Sequence, residues 1–365
     1  MNMGSVVGKV CISHLVLAAM LAGSTAAWSA ELGRTGTVEA LRSMEEFCGS
    51  KPIRVALVDG FGGNSWRRTA RAEFEDEAAK CPNIAETFYV DGQGNPQKAI
   101  SDLQGLVAQG VEAIVVLPDA GPAMLPTIRQ AFRDGISIVP YAASPGGEPG
   151  VDYVDFVASD AFHDGVTWGE WIAARLGNKG RVAFLGGTPG NLQSKTEYEG
   201  IREALSKHKD MEIIGGRALD TNWDPAETQK VVAGLLAQGP VDGIISDYGG
   251  GSVGGLRAFL AAQKPLVAWA AQDVNELACL WYEHKDANPD FQLMTVSSRT
   301  WLVRLALRKA VAHAQGVDNP EPSIIKMPVI EDTTAGMAPK CEKSLPADAM
   351  LSSGLSVEKL GRLFQ

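Results

Sequence analysis

The chain has 365 residues, 45% of them hydrophobic and 21% charged, a globular composition with material for about two domains. Its formal net charge of -10 and pI of about 5.1 supply no phosphate-neutralising face, which argues against a nucleic-acid partner.

The first segment is expected to be removed rather than folded. Met1 to Lys9 carries a single early charge, residues 10–22 are apolar with short polar interruptions, and Gly23, Ser24, Thr25, Ala26 and Ala27 follow. This pattern predicts a secretory signal peptide over residues 1–30, cleaved between Ala26 and Ala30. Its apolar core is too short for a comfortable membrane span. Cys11 falls inside it, leaving Cys48, Cys81, Cys279 and Cys341 in an oxidising setting. Four cysteines allow three pairings. Cys48 precedes the first predicted strand and Cys81 ends the helix returning antiparallel to it, so both lie at one edge of the sheet. That predicts Cys48–Cys81 and, by elimination, Cys279–Cys341, each stabilising by about 2–4 kcal/mol. No Cys-x-x-Cys is present, so no redox or zinc site is read from them.

The run Ile53 to Asp59 is short, continuous and rich in β-branched residues, as a strand buried on both faces is. Gly60, Gly62 and Gly63 break it into a turn that brings Asn64 and Trp66 to the start of a helix over 64–80. An extended segment over 86–90 and a helix over 96–109, opened by Pro96, come next. A strand over 113–117, a helix over 123–133, a strand over 136–139 and a loop over 141–150 complete the first half.

The same beat then restarts. An extended segment over 155–159 leads to a helix over 161–176, a strand over 181–185, a loop over 186–194, a helix over 196–207 and a strand over 211–214. A helix over 226–237 follows, then strands over 243–246 and 266–269 around a helix beginning near Ser252. A strand over 293–296, a helix over 301–314 and a proline-spaced tail from Pro320 end the chain. The predicted fold is α/β, with two similar doubly wound parallel-sheet lobes.

Open parallel sheets bind ligands beyond the C-terminal ends of their strands. The residues placed there are Asn64, Trp66 and Arg67; Asp119; Tyr141; Asp160; Asn191 and Lys195; Trp223 and Asp224; Asp247 and Tyr248; Gln272 and Asp273; Ser298 and Arg299. Aromatic rings can cover the C–H face of a sugar while carboxylates and amides take its hydroxyls. Asp119, Asp160 and Asp224 also stand where helices want an N-cap.

Two other motifs coincide in one glycine-rich run. Gly249 to Gly254 fits the G-x-G-x-x-G dinucleotide fingerprint, with Asp273 about 20 residues on. Gly250 to Gly254 also fits a G-x-S-x-G nucleophile elbow at Ser252, with Asp273 and His284 or His313 downstream. A run that satisfies two incompatible motifs discriminates weakly, and neither a cofactor nor an enzyme is expected. His163, His208, His284 and His313 lack metal-site spacing.

With these residues in view, the chain resembles the periplasmic sugar-binding proteins of ABC transporters, of the ribose-binding type. The resemblance rests on Asn64-Ser65-Trp66 after the first strand, Val111-Glu112-Ala113-Ile114 with Pro118, Phe156 to Asp160, Tyr198-Glu199-Gly200, and Gly254 to Ala258. It implies the type I periplasmic fold: two lobes, a ligand cleft between them, and a three-segment hinge near Ser159–Asp160, Ser297–Ser298 and Pro322–Ile325. The first lobe would comprise 31–159 and 299–322, the second 160–298 and 323–365. It further implies stacking by Trp66 and Trp223, with polar contacts from Asn64, Asp160, Lys195, Tyr248 and Asp273. The chain departs from the family pattern in three places. Tyr141-Ala142-Ala143 replaces an Asp-Arg pair, Lys195 an arginine, and Arg67 a second aromatic. The function implied is a monomeric periplasmic receptor that carries a monosaccharide or polyol to a membrane ABC permease. The alternatives are a secreted serine hydrolase using Ser252 and a ligand-presenting partner of a chemoreceptor or sensor.

Overall fold

A computed structural model describes Met1 and residues 34–364; the remainder of the expected signal peptide lies outside the described residues. In the first lobe, β2 (Ile53–Asp59), β3 (Ile84–Asp91), β4 (Ala113–Val116) and β5 (Ser137–Pro140) form a parallel sheet in the order β3-β2-β4-β5. The sheet is joined through α1 (Ser65–Ala78), α2 (Pro96–Ala108) and α3 (Leu125–Arg133). Val55 and Leu57 pack with Phe74 of α1 on one face, while Ala56 and Val58 pack with Leu103 of α2 and Ile128 of α3 on the other. A strand covered on both faces has no solvent side, hence its unbroken apolar run.

The second lobe repeats the plan through α4 (Ala161–Arg175), β7 (Lys179–Gly186), α5 (Leu192–Leu205), β8 (Asp210–Ile213), β9 (Leu219–Asp220), α6 (Pro225–Gln238) and β10 (Gly243–Ser246). It continues with α7 (Gly249–Ala261), β11 (Ala268–Gln272), α8 (Asn275–His284) and β12 (Leu293–Val296). Its sheet runs β14-β12-β11-β10-β7-β8, with β9 against the end of β7 and β14 (Val329–Asp332) as an antiparallel edge.

The lobes interleave. After β12 the chain returns as α9 (Leu302–Gln315), which packs on α1, β4 and β5 of the first lobe. There Arg304 pairs with Glu73, Asp76 and Glu77, and Arg308 with Glu77 at 2.7 Å and Glu321 at 3.0 Å. Two of the passages between lobes lie side by side as strands, β6 (Ala158–Ser159) and β13 (Ile324–Ile325). A short β1 (Thr35–Gly36) extends them into a three-stranded parallel sheet. A tail ending in α10 (Val357–Leu363) follows β14. Among the described residues, no helix is long and apolar enough to cross a membrane.

The structure differs from the sequence reading in several elements, among them α8, absent from the predicted elements, and β11, which runs Ala268–Gln272 rather than 266–269. α5 starts at Leu192 rather than Thr196, because the Asn191 side chain accepts the Ser194 amide at 3.0 Å and caps the helix earlier. α7 starts at Gly249 rather than near Ser252, so the glycine-rich run is helix rather than loop. A Cβ at Gly254 would collide with the Pro225 carbonyl, so this glycine lets α6 and α7 close on each other. β1 carried no sequence signal. Both predicted cysteine pairs form, with Cα separations of 5.5 Å for Cys48–Cys81 and 4.8 Å for Cys279–Cys341.

Candidate ligand-binding site between the lobes

The loops after the parallel strands of the two lobes meet at one hydrogen bond: Trp66 Nε1, from the first lobe, donates to the Ser298 carbonyl at 2.8 Å. Asn64 accepts the Arg67 amide at 2.9 Å and caps α1, which fixes Trp66 in the first helical turn. The Trp66 ring lies nearly parallel to Tyr141, with centroids 6.5 Å apart and planes 15° apart. Arg67 covers the ring at 5.6 Å and is held by Asp59 at 2.8 Å and Asp119 at 2.6 Å. Asp59 Oδ2 and the Tyr141 hydroxyl are buried without a protein hydrogen-bond partner. Burial pushes the Asp59 carboxyl above its ordinary range against the pull of Arg67, and likewise raises the Tyr141 phenol.

In the second lobe, Trp223 Nε1 donates to Asp247 Oδ1 at 3.0 Å, and Ser194 donates to Asp247 Oδ2 at 2.6 Å. Trp223 itself stands at φ +54°, in the left-handed region. The ring lies close over Gly187, where a Cβ would overlap the indole. Beside Asp247 is Glu197, fully buried on α5. Burial raises both carboxyls; Arg299 opposes this at Glu197, and the Asp247 charge adds to it.

Arg299 is a cross-tie between chain segments. Its guanidinium donates to Ser159 Oγ at 2.7 Å and to Glu197 Oε1 at 3.1 Å from both terminal nitrogens, and it lies 3.5 Å from Asp164. The strand passage at Ser159, the α4 start and α5 are thereby gathered on one residue. Asp164, buried on α4, has its pKa raised to about 7 by burial, against the attraction of Arg299. Both Asp164 oxygens are buried without a hydrogen-bond partner, so burial dominates the Arg299 charge 3.5 Å away.

The remaining predicted residues are placed as follows. Asp160 caps α4, accepting the His163 amide at 3.0 Å, and Asp224 caps α6. Lys195 is exposed at the start of α5, and Tyr248 is partly buried at the start of α7. Asp273 has both oxygens engaged, by the amides of Ser298 and Ser352 and the Ser352 hydroxyl. Of the hydrolase candidates, Ser252 is not hydrogen-bonded to His313. Ser252 Oγ is buried and accepts from Trp269 Nε1 at 3.0 Å, while His313 bonds Ser137 in the other lobe. Sequence reasoning missed Asp59, Asp164, Ser194 and Glu197. Asp164 follows Asp160 by one helical turn, a spacing that puts both on one face.

A family model of the periplasmic binding protein domain matches residues 55–317. The chain belongs to this family. Periplasmic binding proteins of known structure share the fold. A solute-binding protein from Actinobacillus succinogenes with bound D-allose aligns at a TM-score of 0.64 and 20% identity, covering 78% of this chain and 99% of that one. The Caulobacter myo-inositol binding protein aligns at 0.64 and 21%, covering 79% and 96%. Among curated relatives, the ribose import binding protein of Haemophilus influenzae is 27% identical over 179 residues, or 49% of this chain and 59% of that protein. The xylitol-binding protein of Mycolicibacterium smegmatis is 28% identical over 199 residues, or 54% and 55%. The match therefore spans little more than half the length of these two relatives. The two-lobed α/β architecture with parallel sheets is that of the type I periplasmic fold.

Proposed function

We propose that this periplasmic binding protein is the receptor of an ABC transporter for an uncharged monosaccharide or polyol. It would close on the ligand by a hinge motion and present it to a membrane permease. The observation that carries this reading is the pair of anchored indoles, Trp66 and Trp223, one beyond the strands of each lobe. A ring face on each side suits the C–H surfaces of a small cyclic polyol. Hydroxyls are both donors and acceptors, and so match buried acceptors such as Asp59 Oδ2 and the Tyr141 hydroxyl. An anionic sugar would instead approach Asp59, Asp119, Asp247 and Glu197, where Arg67 and Arg299 are already paired and Lys195 stands exposed at the start of α5. The names of the ribose- and xylitol-binding relatives support the same class.

In this reading the lobes are 31–159 with 299–322 and 160–298 with 323–365, and closure turns about the passages at Ser159, Ser298 and Ile324. Asn64, Trp66, Arg67, Asp119, Tyr141, Asp160, Lys195, Trp223, Tyr248, Asp273 and Arg299 form or support the site, and Asp273 does so through Ser298. Contacts from both lobes favour the closed state, so ligand shifts the population toward it. The protein works as a monomer in the periplasm after removal of residues 1–30. Titration of the mature protein with a panel of neutral sugars, polyols and sugar acids, followed by tryptophan fluorescence and thermal shift, tests the proposal. A neutral member is expected to quench or shift the emission and raise Tm. No response to any neutral member overturns it.

A further inference from the structure

The tail after β14 passes over both lobes and the passage between them. On the second lobe it is bound through Cys279–Cys341 and by Asn275, whose side chain donates to the carbonyls of Glu342 and Pro346 at 2.9 and 3.0 Å. The amides of Asn275 and Glu276, orphan donors at the start of α8, are satisfied by the carbonyls of Ala349 and Ala347, each at 2.8 Å. On the first lobe, Asp348 bonds Ser65 at the start of α1, the Gly354 amide donates to Glu73 at 2.9 Å, and Lys359 pairs with Asp76.

Ser352 sits midway, at the passage that carries Ser298. Its amide and hydroxyl donate to Asp273 at 2.8 and 2.6 Å, and its Oγ accepts the Ser298 amide at 3.0 Å. Asp273 also accepts the Ser298 amide, at 2.7 Å. The Ser298 N–H is thus pinned from two sides, and the carbonyl on the other side of the same Cα is the acceptor that orients Trp66. We infer that Ser352 is a positioning residue of the ligand site, a tail side chain that fixes the backbone at Ser298 and through it the Trp66 ring. The inference deepens the proposed function and rests on it only for the ligand. The local couplings here are hydrogen bonds donated to a buried carboxylate, whose loss leaves their donors unsatisfied.

The test is the indole N–H resonance of Trp66, assigned in the 15N spectrum of the ligand-free protein by comparison with Trp66→Phe. Ser352→Ala and Asp273→Asn are expected to shift that resonance and to weaken sugar affinity by about 3- to 10-fold. Ser352→Thr, which keeps the hydroxyl, is expected to leave both near wild type. In a Trp66→Ala background, Ser352→Ala is expected to cost no further affinity. Asp273→Asn reads the same coupling should Ser352→Ala fail to fold. A Trp66 resonance unmoved by the hydroxyl-removing and carboxylate-neutralising changes overturns the inference. A shifted resonance in a wild-type protein that binds no neutral sugar or polyol sinks the functional reading but upholds the coupling.

Discussion

The two indoles are held in unlike ways. Trp223 is anchored within its own lobe by a side chain, Asp247, which Ser194 steadies from the other side. Trp66 is anchored across the lobes by a backbone carbonyl, that of Ser298. A side-chain anchor can be altered by one substitution and leaves the hinge alone. A backbone anchor in the passage between lobes ties the ring's orientation to where that passage lies. In the proposed function, Trp223 would be a fixed platform and Trp66 one whose setting follows the closure.

The largest expected effect is loss of a platform. One face of such a ring covers about half of its 150–250 Å², worth about 2–3 kcal/mol at 25 cal/mol per Å². Trp66→Ala and Trp223→Ala are each expected to weaken sugar binding by about 30- to 150-fold in isothermal titration while the protein stays folded. Only Trp66→Ala is expected to alter the ligand-free balance of open and closed forms seen in solution scattering. Equal behaviour of the two variants there would erase the contrast.

A smaller effect separates the anchors. Asp247→Ala, which frees the Trp223 indole and Ser194, is expected to cost about tenfold in affinity, the equivalent of one buried hydrogen bond near 1–1.5 kcal/mol. Asp247→Asn can still accept from the indole and is expected to stay within about threefold. If Asn is as damaging as Ala, the charge rather than the hydrogen bond holds the ring.

The smallest effect is in pH dependence. Asp164 keeps its proton to about pH 7 in the folded protein, against an ordinary value of 3.8, because of its burial. Between those values the folded state binds more protons than the unfolded one, so this group's contribution is fully present below about pH 4. It is lost as pH rises toward 7. Thermal melts across that range are expected to show a shallower decline in Asp164→Asn than in wild type. An unchanged slope would mean that Arg299 keeps Asp164 ionised throughout.

The sequence was most informative where residues act through their neighbours in the chain. Ile53 to Val58 reads as a strand because both faces are apolar, and the placement of Trp66 and Trp223 follows from where strands end. Fold, family resemblance and both cysteine pairs were accessible in this way. The anchors were not. Asp164 and Glu197 lie inside helices at positions that look like a solvated face, and only α4 packing on α5 buries them. The Ser298 carbonyl is backbone and leaves no mark in composition. Thr35–Gly36 is too short for any periodicity, and Ser352 meets Asp273 across 79 residues. The glycine-rich run discriminated weakly because at least Gly254 answers a packing need, helix against helix, that motif spacing cannot distinguish from a phosphate cradle.

The ionic contacts of α1 with α9 bear on the order of synthesis. Glu73 and Glu77 precede Arg304 and Arg308 by 227 to 231 residues. At about 5–20 residues per second, a ribosome delivers those cations roughly 10–45 s after the acids. Until then the first lobe lacks a helix, Glu77 has only Lys80 of its own segment at 2.8 Å, and Glu73 lacks Thr300 and Arg304, so the lobe has no reason to close early. Under the proposed export, a polypeptide threaded through a membrane pore before folding would carry this delay in its own topology.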